Sequence, residues 1–182
     1  MRIFGIDPGS ERTGYGCIDS DGSRCELVAC GAITVPSGCP FPDRLVRIFD
    51  KLAAMLAEHR PACVAVEEVF HGRNARSALK LGQVRGVVLL AAARAGLPVA
   101  EYATASVKQA VVGYGRAEKR QVQRMVGLLL GLDEPPTPHD AADALAVAVC
   151  HAHAGAPAAA AASADGDANA GATSWRRFRV PG

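Results

Sequence analysis

Asp140-Ala141-Ala142-Asp143 is the stretch with the plainest chemical potential, because acids three residues apart share one face of any helix that contains them. The residues after it, as far as Cys150, are almost wholly apolar, so an acidic end projects from an otherwise buried element. Three further acids occupy comparable positions. Asp7 closes the short apolar run Ile3-Phe4-Gly5-Ile6, which Pro8-Gly9 must end, and Glu67-Glu68 closes Ala62-Cys63-Val64-Ala65-Val66. An acid on the last residue of a buried strand is held rigidly at a sheet edge, open to a ligand. Each has an ordinary reading as well: Asp7 as a turn cap, Glu67 and Glu68 as solvated loop acids, Asp140 as a helix cap favoured by the helix dipole. That reading serves Asp140 alone but not the pair, since Asp143 falls on the inward side of the helix.

Two carboxylates about 4 Å apart repel by roughly 4 kcal/mol at an effective dielectric near 20. Three or four acids could therefore gather only with proton uptake or a cation. Oxygen-only donors suit Mg²⁺ or Mn²⁺ rather than zinc.

The elements that must position these acids follow from the patterning. After the first strand, residues 13–19 read as a second strand and residues 25–35 as a third, with Asp21-Gly22 as the hairpin turn between them. Residues 36–42 read as a loop, and Asp43 starts a helix with Leu45, Ile48, Phe49, Leu52, Met55 and Leu56 at the 3.6-residue period, stopped by Arg60-Pro61. The continuous apolar run before Glu67 marks a strand buried on both faces. Asn74 caps a long helix to Ala95 that contains Gly82 and Gly86; each glycine costs up to about 1 kcal/mol against alanine, so close packing against the sheet or a second subunit is expected to compensate. Residues 98–102 make a fifth strand, and residues 104–112, 117–130 and 139–153 make three more helices, with Val122, Met125, Val126 and Leu129 turned inward on the second. A three-stranded meander followed by alternating helix and strand gives an α/β fold: a mixed five-stranded sheet, antiparallel then parallel, flanked by helices on both faces.

With 182 residues, nearly half of them apolar, the chain has the size and core of one domain. The expected division is a folded domain over residues 1–154 and a disordered tail over 155–182, where the composition turns to Ala, Gly, Ser, Asp and Pro. The tail ends in Trp175-Arg176-Arg177-Phe178-Arg179, a mix of cations and aromatics that reads first as a frayed end. No signal peptide or membrane span is visible, so a soluble, cytoplasmic protein is expected. The six cysteines show no zinc spacing and read as reduced core residues. A formal charge of +2 does not announce a nucleic-acid binder, but the basic residues gather locally in 73–85 and 108–124.

Taken together, Gly5-Ile6-Asp7-Pro8-Gly9-Ser10, Thr13-Gly14-Tyr15-Gly16, Glu67-Glu68-Val69-Phe70, Asn74 with Ser77-Ala78-Leu79-Lys80-Leu81-Gly82-Gln83, Val107-Lys108-Gln109, Ala117-Glu118-Lys119 and Asp140-Ala141-Ala142-Asp143-Ala144-Leu145-Ala146 occur in an ordered series over residues 1–153. That series resembles the RuvC family of bacterial Holliday-junction resolvases, which have a ribonuclease H-like fold. The resemblance implies an endonuclease that resolves four-way DNA junctions by paired symmetric nicks in recombination and repair. It implies Asp7, Glu67, Asp140 and Asp143 as metal-binding carboxylates holding two Mg²⁺ or Mn²⁺ ions, with His139 beside Asp140 as a rival ligand, since some relatives carry His at the Asp140 position. Glu68 matches no required acid. The family's phosphate-binding lysines fall on Lys108 and Lys119, and its base-stacking aromatic on Phe70. Arg76, Lys80 and Arg116 are softer candidates for backbone contacts. A four-way junction has approximate two-fold symmetry, so paired nicks call for a C₂ homodimer, with the helix after Asn74 as the candidate interface. The RuvAB branch-migration complex is the partner that the resemblance implies.

Three rivals share parts of this pattern. An actin-like ATPase uses a similar Asp-x-Gly turn but needs two such domains. A hybrid-cutting ribonuclease shares the fold, and a junction-binding module would lack the catalysis.

Overall fold

The computed structural model describes residues 1–68 and 74–154. Its elements run β1 (Arg2–Asp7), β2 (Arg12–Ser20), β3 (Cys25–Thr34), α1 (Phe41–His59), β4 (Cys63–Glu68), α2 (Ala75–Arg94), β5 (Val99–Ala103), α3 (Thr104–Val112), α4 (Lys119–Leu129) and α5 (His139–His153). The strands form one sheet in the order β3-β2-β1-β4-β5. β1 is antiparallel to β2, and β2 to β3, while β4 runs parallel to both β1 and β5. This is the mixed sheet that the meander and the later alternation predict, and the fold is ribonuclease H-like.

The β2–β3 turn illustrates the local cause. Gly22 sits at φ +96°, where a side chain would be strained, and the Asp21 carboxylate accepts hydrogen bonds from the backbone N–H groups of Ser23 (2.8 Å) and Arg24 (2.7 Å). Those bonds, first the one from Arg24, pull the Asp21 carboxyl down to about 2.

Strand alternation separates two cores. Phe4, Ile6, Val64 and Val66 face Ile48 and Leu52 of α1 and Val84 and Val88 of α2. Ile3 and Ala65 face the other way, against α3, α4 and α5. On that second side β1 and β2 carry glycines, and α5 lies almost on their backbones. A Cβ on Gly5 would stand 2.1 Å from the Ala144 carbonyl oxygen, and one on Gly14 would stand 2.0 Å from that of Asp140. α5 answers with alanines at 141, 142, 144, 146 and 148, all buried. At its far end, His151 accepts or donates between Tyr102 Oη (2.7 Å from Nδ1) and Cys63 Sγ (3.2 Å from Nε2), tying α5 to β5 and β4.

Several boundaries and contacts differ from the sequence reading. α1 begins at Phe41 rather than Asp43, because Pro42 is tolerated in a first helical turn, where its missing N–H has no partner to lose. α4 begins at Lys119 rather than Ala117, since Glu118 is the cap of a reciprocal capping box with Gln121. On that helix Leu130, 7% exposed, fills the core place expected of Leu129, which is 37% exposed. The expected close packing of Gly82 and Gly86 against the sheet is absent: nothing among the described residues lies within 4 Å of a Cβ built on either. The six cysteines are free thiols. The tail 155–182 lies outside the described residues.

Candidate active site

Asp7 and Glu67 end adjacent parallel strands, and the register that pairs Ile6 with Val66 sets the two acids side by side. Period-two alternation does the selecting. Ile3 and Gly5 point toward α5, so Asp7 does too; Cys63 and Ala65 point toward α5, so Glu67 does and Glu68 does not. This is the physical reason for Glu67 over Glu68. The glycine bed of β1 and β2 then brings α5 down until its first turns overhang the strand ends, with Asp143 above Asp7.

The three acids line one cavity of about 300 Å³ together with Thr104, Lys108 and Lys119, over a floor that includes Val107, Val122 and Ala146. Two elements besides the sheet complete it: the N-terminus of α3, which brings Thr104 and Lys108, and that of α4, which brings Lys119. The Thr104 hydroxyl donates to Glu67 Oε1 at 2.5 Å. Lys119 Nζ sits 2.5 Å from Asp143 Oδ2.

The electrostatics reflect the crowding. Burial, then the charges of Glu67 and Asp143, and a hydrogen bond with Glu67 push the Asp7 carboxyl well above the ordinary carboxylate range, with Lys119 acting in the opposite sense. Burial works against the Lys119 ammonium, but its hydrogen bond to Asp143 and the charges of Asp143, Asp7 and Asp140 outweigh it and hold its pKa above the usual lysine value. Crowding of the acids thus disfavours the charged form of Asp7, a cost that a bound cation would offset, and the acidic groups are all carboxylates, whose oxygens hard divalent ions take. Among the described residues, no three His, Cys, Asp or Glu side chains already converge at metal-ligand spacing.

The other sequence candidates fall elsewhere. Asp140 sits one turn before Asp143 but does not line the cavity; its Oδ2 lies 3.9 Å from Arg12 Nη1. His139 is exposed and also away from the cavity lining. Arg116 is exposed on the α3–α4 connection, and Arg76 and Lys80 are exposed on the first turns of α2, where the Lys80 ammonium lies 5.6 Å from the centre of the Phe41 ring. Phe70 lies outside the described residues. Sequence reasoning misses Thr104 and Arg12. The one available signal for Thr104 is that it opens a helix just after the fifth expected strand; nothing marks Arg12.

Comparison with known proteins gives this site its context. The family model described as Crossover junction endodeoxyribonuclease RuvC matches residues 3–151. A protein of that name from Heliobacterium modesticaldum is 57% identical over 146 residues, covering 80% of this chain and 90% of the relative. One from Syntrophomonas wolfei is 53% identical over 146 residues, covering 80% and 85%. Among solved structures, Thermus thermophilus RuvC in complex with Holliday junction substrate superposes with a TM-score of 0.80 at 40% identity, covering 85% of this chain and 94% of that one. With that family model over most of its length and relatives more than half identical, the chain belongs to the RuvC family of crossover junction endodeoxyribonucleases.

Proposed function

We propose that this chain cuts four-way DNA junctions by paired symmetric nicks, hydrolysing one phosphodiester in each of two strands in recombination and repair. One observation carries the reading: Asp7, Glu67 and Asp143, from three separate elements, line a single cavity with two lysines. Those acids, with Asp140 as the fourth, would hold the divalent cations, Mg²⁺ or Mn²⁺, two in each site. Bound there, the cations would neutralise the acids and stabilise the attacking and leaving oxygens of an in-line displacement, which leaves a 5′-phosphate and a 3′-hydroxyl. The chain's own groups do the rest. Thr104 fixes the rotamer of Glu67 through its hydroxyl. Lys108 and Lys119 attract the scissile phosphate, while Arg76, Lys80, Arg116 and Phe70 extend the contact along the junction. A DNA substrate puts the protein in the cytoplasm, consistent with the lack, among the described residues, of any helix long and apolar enough to cross a membrane.

Two matched nicks call for two sites related by a two-fold axis, and α2 offers a surface for that dimer. Leu79 (70% exposed), Gly82, Gly86 and Leu90 (53% exposed) follow one another at helical spacing, and nothing among the described residues covers the two glycines. Gly86→Leu therefore weakens dimerisation; an unchanged sedimentation coefficient would count against the interface. Partnership with the RuvAB branch-migration machinery rests on the family resemblance alone.

The decisive experiment incubates wild type and Asp7→Asn with a four-way junction and with an RNA–DNA hybrid, each with and without Mg²⁺ or Mn²⁺. Symmetric junction nicks from wild type alone, and only with metal, support the reading. Cleavage of the hybrid in preference to the junction overturns it.

A further inference from the structure

We propose that Lys119 is a built-in counter-ion that occupies the carboxylate cavity until a dication displaces it, so that metal loading frees its ammonium for DNA phosphate. The inference rests on the metal-site reading above and goes beyond it. Lys119 Nζ contacts Asp143 Oδ2 at 2.5 Å inside the cavity that Asp7 and Glu67 also line. It is therefore already where positive charge is wanted. Consistently, the three acids share one cavity, yet among the described residues no three ligand side chains stand at metal-binding spacing.

Lys119 gains nothing from its own helix by being there. It is the first residue of α4, whose positive end disfavours a cation. The capping box fixes the backbone at that point, with the Glu118 N–H donating to Gln121 Oε1 at 2.8 Å. The side chain alone remains free to swing. Its side chain is 56% exposed and that of Asp143 is 21% exposed, so the departing ammonium has a clear path to solvent or to a phosphate above the cavity. Displacement exchanges a single charge on one acid for a double charge shared among several, which favours the dication at close range. The same ammonium that lowers the cavity's affinity for metal would thereby be delivered to substrate only where metal is present.

The test is Mn²⁺ binding to the full-length chain without DNA, followed by the loss of the free-ion paramagnetic resonance signal. Lys119→Met removes the charge at nearly constant length, Lys119→Gln repeats the removal with a polar group should the first variant fold poorly, and Lys119→Arg retains the charge. Both neutral variants should bind Mn²⁺ roughly three- to tenfold more tightly than wild type, the gain expected from removing a competing, partly exposed ion pair. Lys119→Arg should stay near wild type, and the rise in melting temperature on adding Mn²⁺ should be larger for the neutral variants. Unchanged or weaker binding in both neutral variants, while Asp7→Asn abolishes wild-type binding, overturns the counter-ion role and leaves the metal site standing. Absence of binding to wild type and to every variant overturns the metal-site reading, and the counter-ion role falls with it.

Discussion

On the α1–α2 face of the sheet, Phe4, Ile6, Val64 and Val66 meet Ile48, Leu52, Val84 and Val88, large apolar side chains on both sides of the contact. On the α5 face, Gly5, Gly14 and Gly16 meet Ala144, Asp140 and Leu145, and the helix rests on strand backbone. The first face is filled by volume, and a lost methylene there leaves a cavity whose cost scales with its size. The second is defined by distance, and an added methyl has nowhere to go. The difference explains where the acids lie. A face built from bulky side chains would hold a helix off the sheet, with a helix-borne acid correspondingly far from the strand ends. The glycine–alanine contact removes that gap and lets Asp143 reach the cavity of Asp7 and Glu67.

The most severe way to break this contrast is to give the close-packed face one side chain too many. Gly5→Val should cost at least about 3 kcal/mol, because the opposing atom is a backbone carbonyl that cannot turn aside. A urea midpoint close to that of wild type would show that α5 can ride up without penalty. Next comes the strand alternation itself. Glu67→Gln should slow junction nicking by about 10²-fold or more, whereas Glu68→Gln, on the opposite side of β4, should change it by less than about threefold. Equal losses would mean that the strand twists both acids into the cavity. On the bulky face, Leu52→Ala should lose about 3 kcal/mol of stability while leaving the nicking rate intact well below the melting temperature, so that stability and catalysis part company.

A smaller effect tests the support of Glu67. Thr104→Val should reduce nicking by about tenfold, the worth of one charge-assisted hydrogen bond, and Thr104→Ser, which keeps the hydroxyl, should restore it. The smallest is a matter of pH. Because the Asp7 carboxyl is raised in the folded protein, the native state binds more protons than the unfolded one between the ordinary aspartate value and the raised one. Metal-free stability therefore falls as pH rises through that window, and Asp7→Asn should melt a few degrees above wild type at neutral pH. That advantage should shrink toward pH 4 and vanish below about pH 3, where Asp7 is protonated in both states; a constant difference across the range would point to some other cause.

Much of this architecture is legible in the residues themselves. The Ile3–Ile6 and Cys63–Val66 runs announce buried strands, the Asp21-Gly22 turn joins β2 to β3, and α3 and α5 have the bounds expected of them, 104–112 and 139–153. Misreadings gather where a helix starts or ends. Pro42 looks like a breaker but fits a first turn, and one residue of phase exchanges Leu129 for Leu130. The choice of Glu67 is legible too once small residues are noticed at 63 and 65, since they mark the side of β4 that α5 approaches. The cations Lys108 and Lys119 are marked only by the family resemblance. Lys119 meets Asp143 because α4 and α5, joined through Pro135, Pro136 and Pro138, pack against each other, and no local pattern records that pairing. Arg12 and Asp140 pose the same problem across the longer interval between β2 and α5.

α5 is at once the most buried helix and the carrier of acids at one end, with His151 fastening the other end to Tyr102 and Cys63. An element so placed has no cheap fluctuation open to it: to wander, it must melt the whole domain. Its amide protons should be among the last to exchange with deuterated solvent, and heat should extinguish cutting at the same temperature at which the ordered chain is lost, with no earlier softening of the cleft.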